Sequence, residues 1–132
     1  MSSAGETKRK ILVVDDDQSF SRMIQLLIAR QGHEVQTSPG VEDAKKKLGD
    51  DGSGFNLIVL DLMMPEQNGF DFLNWKDATK EAIKSIPVLI NTAKKVSEEE
   101  RNFLEPRSKF IVEKGMDFTS TIVKKVSEAL SG

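Results

Sequence analysis

A chain of 132 residues, 38% apolar and 30% charged, can fold as one domain and bury roughly two-thirds of its unfolded surface. Its formal charge of −2, with only the short clusters KRK and KKK, argues against a nucleic-acid-binding surface, and the absence of cysteine excludes disulfides and thiolate metal sites. No apolar run is long enough to cross a bilayer, and MSSAGETKRK lacks the apolar segment of a secretory signal, so a cytoplasmic location is expected.

Residues 1–8 read as a flexible polar lead-in and residues 9–132 as the folded domain. The first apolar run is Ile11 to Val14. Phe20, Met23, Ile24, Leu27 and Ile28 follow at helical spacing, which predicts a helix capped by Ser19 and stopped at Gly32. Val35 to Thr37 is a weaker run, polar enough for an edge strand, and nearby His33 reads as an edge-strand histidine without catalytic duty. Val41, Ala44 and Leu48 mark a short helix closed by Gly49, and GDDGSG is a turn-rich loop. Phe55 to Leu60 is the third strand, apolar but for Asn56 as a strand covered on both faces should be. A third helix is expected from about Gly69 through Leu73 and Ala78 to Ile83. The fourth strand runs from Ile86 to Ile90, with Pro87 at its start, where the missing donor is tolerated. Ser97 and Glu100 form a capping box for a short fourth helix that Pro106 closes. Phe110 to Val112 is the fifth strand, and Phe118, Ile122, Val126 and Leu130 line one face of the fifth helix. Five strands alternating with five helices predict an α/β fold, a doubly wound parallel sheet of the flavodoxin-like order 2-1-3-4-5.

In an open parallel sheet, ligands bind beyond the carboxyl ends of the strands, where the strand order reverses. The residues at those ends are Asp15, Asp16 and Asp17, then Asp61, then Asn91 and Thr92, then Glu113 and Lys114. Carboxylates gathered at one edge repel one another, which favours a raised pKa or a bound cation. With oxygen ligands and no His or Cys nearby, the cation expected is Mg²⁺, which takes one or two carboxylates and shares its remaining positions with water and phosphate. A phosphoryl acceptor needs that arrangement: an aspartate oxygen to attack, and an ion, a lysine and a hydroxyl to meet the phosphoryl oxygens.

Taken singly, each feature has a plainer explanation. An acidic triplet can start a helix, Asp61 can be a turn residue, Thr92 a loop hydroxyl and Lys114 a solvated lysine. The Met63-Met64 pair reads as packing and turn. All four at successive strand ends, in order, are another matter. ILVVDDD, LIVLDLMMPEQNG, PVLINTA and FIVEKG together resemble the response-regulator receiver family, over about residues 9 to 130. The resemblance implies a phosphoacceptor at Asp61, a switch hydroxyl at Thr92 and a phosphoryl-binding lysine at Lys114. It further implies that Asp16, Asp61 and the carbonyl of Met63 hold Mg²⁺, with Asp15 acting largely through water, and that Pro65 and Gly69 shape the turn into the third helix. The implied partner is a histidine kinase or a phosphotransfer protein. Nucleic acid and membrane are not expected partners, the downstream target is open, and no turnover enzyme is expected.

Two departures bear on the switch. Gly115 stands where the family usually has proline, which leaves Lys114 less rigidly aimed, and Ile111 takes the place of a common switch aromatic. Phe110, one step off, should point to the opposite face. The alternatives are an Mg²⁺-dependent phosphatase with an aspartyl nucleophile and a receiver-like module that binds without phosphorylation. Such phosphatases generally place the nucleophile in a DxDx[TV] pattern after the first strand, which DDDQS does not match, and the second alternative usually loses an acidic or lysine position, which this chain keeps.

Overall fold

The structure, a computed structural model, describes residues 8–65, 67–115 and 118–131. The expected lead-in lies outside the described residues except for Lys8. The elements run β1 (Lys10–Val14), α1 (Gln18–Ala29), β2 (Glu34–Ser38), α2 (Val41–Leu48), β3 (Leu57–Asp61) and α3 (Gly69–Asp77). They continue with α4 (Glu81–Lys84), β4 (Val88–Thr92), α5 (Glu98–Leu104), β5 (Phe110–Glu113) and α6 (Phe118–Ser131). The five strands form one parallel sheet in the order β2-β1-β3-β4-β5, as the alternation of runs predicts.

Strand alternation divides the core into two layers. Leu12, Val14, Ile58, Leu60, Val88 and Ile90 face a cluster completed by residues of α2, α3, α4 and α5. Ile11, Val13, Leu57, Val59, Leu89 and Val112 face the residues of α1 and α6. Each large aliphatic side chain taken out of water contributes roughly 1.5–3 kcal/mol, so the continuous runs of β1, β3 and β4 supply much of the driving force. β2 is an edge strand with Glu34, Gln36 and Thr37 at least partly in solvent, as its polar sequence requires.

Three details differ from expectation. The cap of α1 is Asp17, not Ser19: its carboxylate accepts from the Phe20 N–H at 3.0 Å, and Ser19 lies inside the first turn. Such a cap is worth about 1 kcal/mol. The third helix is two helices, α3 and α4, so the described residues hold six α-helices where five are expected. The break falls at Thr79, whose hydroxyl donates to the Lys76 carbonyl at 2.7 Å and competes with continued helix. Finally, β3 and β4 start at Leu57 and Val88, two residues later than their apolar runs, because Phe55 and Ile86 pack from loop positions. Pro87 sits just before β4 and still supplies its carbonyl to Ile58 N–H at 3.0 Å.

The same break explains a buried lysine that the sequence pattern did not flag. Lys76 is buried in α3 and donates from Nζ to the Lys84 carbonyl at 2.6 Å, tying α3 to the end of α4. Burial lowers its pKa from 10.5 to about 8, against the opposing pull of Asp77 and Glu81. The folded chain therefore binds this proton less tightly than the unfolded chain. Below pH 8 both states are protonated and the penalty is complete; between about 8 and 10.5 it is relieved as pH rises. Allowing for solvent near the ammonium, stability should rise by on the order of 1 kcal/mol across that window. Urea melts from pH 7.5 to 10.5 check this, and Lys76→Met should lack the alkaline gain.

Candidate functional site

β1 and β3 lie side by side with Val14 opposite Leu60, which brings the residues after them together at the carboxyl edge. One carboxylate oxygen from each of Asp15, Asp16 and Asp61 lies within 4.8 Å of the others. The acidic triplet after β1 is divided between two tasks. Asp15 and Asp16 belong to the site, while Asp17 caps α1.

Asp61 is 4% exposed, and burial together with the neighbouring charge of Asp15 pushes its pKa up from 3.8 to about 6, with Lys114 pulling the other way. Its Oδ1 accepts from the Met63 N–H at 3.4 Å. Asp15 is also buried and its pKa is raised, chiefly by burial, despite the bond it accepts from Asp17 N–H at 2.9 Å and the nearby Lys114. Asp16 is exposed. An all-oxygen set of two buried carboxylates beside an exposed one, each disfavouring the other's charge, fits a hard divalent cation.

Lys114 reaches this cluster from β5, with Nζ 3.5 Å from Asp15 Oδ2. The peptide bond to Gly115 is trans. What aims the lysine is Phe20 of α1, whose ring centroid lies 4.1 Å below Nζ. A cation held over an aromatic face is worth about 0.5–2 kcal/mol. Thr92, fully buried at the end of β4, accepts from Lys94 N–H at 3.0 Å through its hydroxyl, and its carbonyl accepts from Lys114 N–H at 2.7 Å.

The loop between β4 and α5 is tied to the site by Glu113, which the sequence placed only as a strand-end acid. Its carboxylate accepts from Val96 N–H at 3.1 Å. Ile111 packs on the α5 side of the sheet and Phe110 on the α1/α6 side, as strand alternation predicts, so Ile111 is the residue on the Thr92 face. Met64 is buried as expected of a packing residue, whereas Met63 is 56% exposed at the rim of the acidic cluster. His33 precedes β2, and its Nδ1 accepts from Arg9 N–H at 3.2 Å, a structural contact.

A carboxylate cluster at the switch point of a doubly wound sheet places the chain among the small α/β modules that work from the strand ends of β1 and β3. Comparison with known proteins makes that class specific. The family model described as the response regulator receiver domain matches residues 11–127, and the chain belongs to that family. Over 85 residues it is 33% identical to the transcriptional regulatory protein CpxR homolog of Haemophilus influenzae, a match covering 64% of this chain and 34% of that protein. It is 36% identical over 86 residues to the alkaline phosphatase synthesis transcriptional regulatory protein PhoP of Bacillus subtilis, covering 65% and 34%. The matched part thus spans about a third of those relatives. Among solved structures, the non-phosphorylated HemR receiver domain of Leptospira biflexa superposes with a TM-score of 0.82 at 22% identity, covering 95% of this chain and 96% of that one. The chemotaxis protein CheY4 of Vibrio cholerae gives 0.81 at 25% identity, covering 94% and 100%. No helix among the described residues is long and apolar enough to cross a membrane.

Proposed function

We propose that this chain accepts a phosphoryl group on Asp61, from a phosphohistidine of a histidine kinase or phosphotransfer protein, and signals through the resulting change of shape. The observation that carries the reading is the meeting of Asp15, Asp16 and Asp61 within 4.8 Å, with Lys114 beside Asp15 and Thr92 at the end of the adjacent strand. Asp16, Asp61 and the Met63 carbonyl would hold Mg²⁺, with Asp15 acting largely through water. When bound, the ion neutralises phosphoryl oxygens and the clustered carboxylates.

The rest of the chemistry belongs to the chain. A carboxylate oxygen of Asp61 attacks phosphorus in line, the bond from phosphorus to the donor nitrogen breaks, and the electron pair leaves with the imidazole, which keeps or regains its proton. The new group brings a charge of about −1.5 to −2. Lys114 then exchanges its contact with Asp15 for the phosphoryl group, and the Thr92 hydroxyl turns from Lys94 N–H to donate to a phosphoryl oxygen. The second exchange pulls on the loop that Glu113 holds at Val96. With Ile111 on that face, the loop itself carries the signal without an aromatic rotamer.

In this reading Asp61 is the acceptor of a single group, and the chain is not a turnover enzyme. It works in the cytoplasm through protein partners, without direct contact with nucleic acid or membrane. The transcriptional roles in the relatives' names belong to proteins of which this chain matches about a third. Incubation with acetyl phosphate and Mg²⁺ should add one phosphoryl mass, mapped to Asp61 and absent from Asp61→Asn. A modification that persists in that variant, on a serine or threonine, would overturn the assignment.

A further inference from the structure

Asn91 is the residue of this site that the chemistry above leaves without a task. It is fully buried at the end of β4, and among the described residues neither its Oδ1 nor its Nδ2 has a hydrogen-bond partner. A desolvated carboxamide without partners is destabilising, and the apolar neighbours Leu89 and Ile90 show what this strand otherwise carries. Packing alone would place valine or isoleucine here.

Its surroundings follow from register. Asn91 pairs with Asp61 on one side and with Val112 on the other. Leu89 below it and Val112 beside it face the α1/α6 layer, and so do Val59 below Asp61 and Val13 below Asp15. Asp15, Asp61, Asn91 and Lys114 therefore continue one face of the sheet at its carboxyl edge. Lys114 begins beyond β5 and its Nζ lies 3.5 Å from Asp15 Oδ2 beyond β1, so the two side chains together bridge the ends of β4 and β3, which lie between them in the sheet. Asn91, on the strand between Asp61 and Lys114, is paired in register with Asp61.

We infer that Asn91 is a positioning residue for phosphoryl transfer, its Nδ2 donating to the Asp61 side of the row and its Oδ1 accepting from Lys114 as that ammonium moves from Asp15 to the phosphoryl group. Among the side chains that fit a strand interior, an amide offers both a donor and an acceptor at no charge. Aspartate would add a fourth carboxylate to the cluster, and valine would offer neither bond. The orphaned amide of the resting chain is then the cost of a site organised for its phosphorylated form. The inference rests on the receiver reading.

The test compares wild type, Asn91→Val and Asn91→Thr. Phosphorylation by acetyl phosphate is followed at saturating Mg²⁺ over a range of donor concentrations, with Mg²⁺ affinity and melting temperature measured separately. Asn91→Val should melt higher than wild type and bind Mg²⁺ equally well, yet its maximal phosphorylation rate should fall about tenfold at unchanged half-saturating donor concentration. Asn91→Thr, whose hydroxyl can still donate and accept a hydrogen bond, should recover part of that rate, and it serves as the informative variant if valine prevents folding. A merely structural residue would not move the maximal rate apart from half-saturation. If wild type takes up the phosphoryl group and both variants match its maximal rate, Asn91 is a packing residue and this assignment falls alone. If wild type gains no phosphoryl mass, the receiver reading falls and takes this assignment with it.

Discussion

Asp61→Asn should melt higher than the parent chain in EDTA at pH 7, by on the order of 2 kcal/mol, and should lose that advantage as Mg²⁺ is added. In the folded chain the Asp61 pKa is pushed up from 3.8 to about 6, so the native state holds the proton more tightly than the unfolded state. The favourable contribution is complete below about pH 4 and is lost as pH rises through 6, leaving a buried charge beside Asp15. The two proteins should therefore be alike in stability near pH 4 and diverge up to about pH 6.5, after which the gap is constant. Because Asp15 and Asp61 are coupled, the divergence should spread over more than one pH unit. An ion that binds only the folded state adds about 2 kcal/mol when about thirtyfold above its Kd, and only the parent chain has the complete carboxylate set to receive it. A gap of this size is several degrees of melting temperature for a domain this large. Thermal melts of both proteins between pH 4 and 8, with EDTA and with millimolar Mg²⁺, decide the matter. If Asp61→Asn melts lower than the parent in EDTA at pH 7, Asp61 is a structural hydrogen-bonding group and not one member of a crowded acid cluster.

The parts of the molecule that were legible in the sequence are those set by pattern alone. LIVL of β3 and VLI of β4 are apolar without interruption because those strands are covered by helices on both faces, and the residues that end those runs must then lie at the carboxyl edge. That is why Asp61, Thr92 and Lys114 could be placed relative to Asp15 before any coordinates. Competing local bonds were harder to read. Asp17 and Ser19 are both acceptable caps, and the choice turned on where the loop after β1 ends. Leu73, Ala78 and Ile83 suggest one helix, yet the Thr79 hydroxyl and the Lys76 bond to Lys84 divide it. Asn91 was visible as a strand-end residue, but its lack of partners is a property of three neighbouring strands and of no sequence window. Lys76 likewise looks like any helical lysine until α4 folds back against it.

Gly69→Ala should be among the most damaging single-methyl changes in the chain, costing roughly 2–3 kcal/mol and lowering the phosphorylation rate as well. The position is the first residue of α3, and its φ is unexceptional, so the cost is one of space. A Cβ there would meet the Asp61 carbonyl oxygen at 2.8 Å, Leu62 Cα at 2.9 Å and Leu62 Cδ2 at 3.0 Å. Two of those three atoms are backbone, and they cannot retreat without moving the peptide that carries Asp61. The helix cannot retreat freely either, since Gly69 N–H donates to the Leu62 carbonyl at 3.0 Å and Asn68 caps α3 through a reciprocal box with Asp71. Gly115→Ala is the matched control, because a methyl group there has nothing within 4 Å. Its melting temperature should stay close to that of the parent, while Gly69→Ala should fall by very roughly 6–15 °C. In the same samples the rate of phosphoryl uptake from acetyl phosphate should drop for Gly69→Ala, since the displaced peptide aims both the Asp61 carboxylate and the Met63 carbonyl. A Gly69→Ala protein that melts with the control would show that α3 can shift away from β3 at little cost. One that melts low but takes up phosphoryl at the parental rate would show that the turn supports the fold without aiming Asp61.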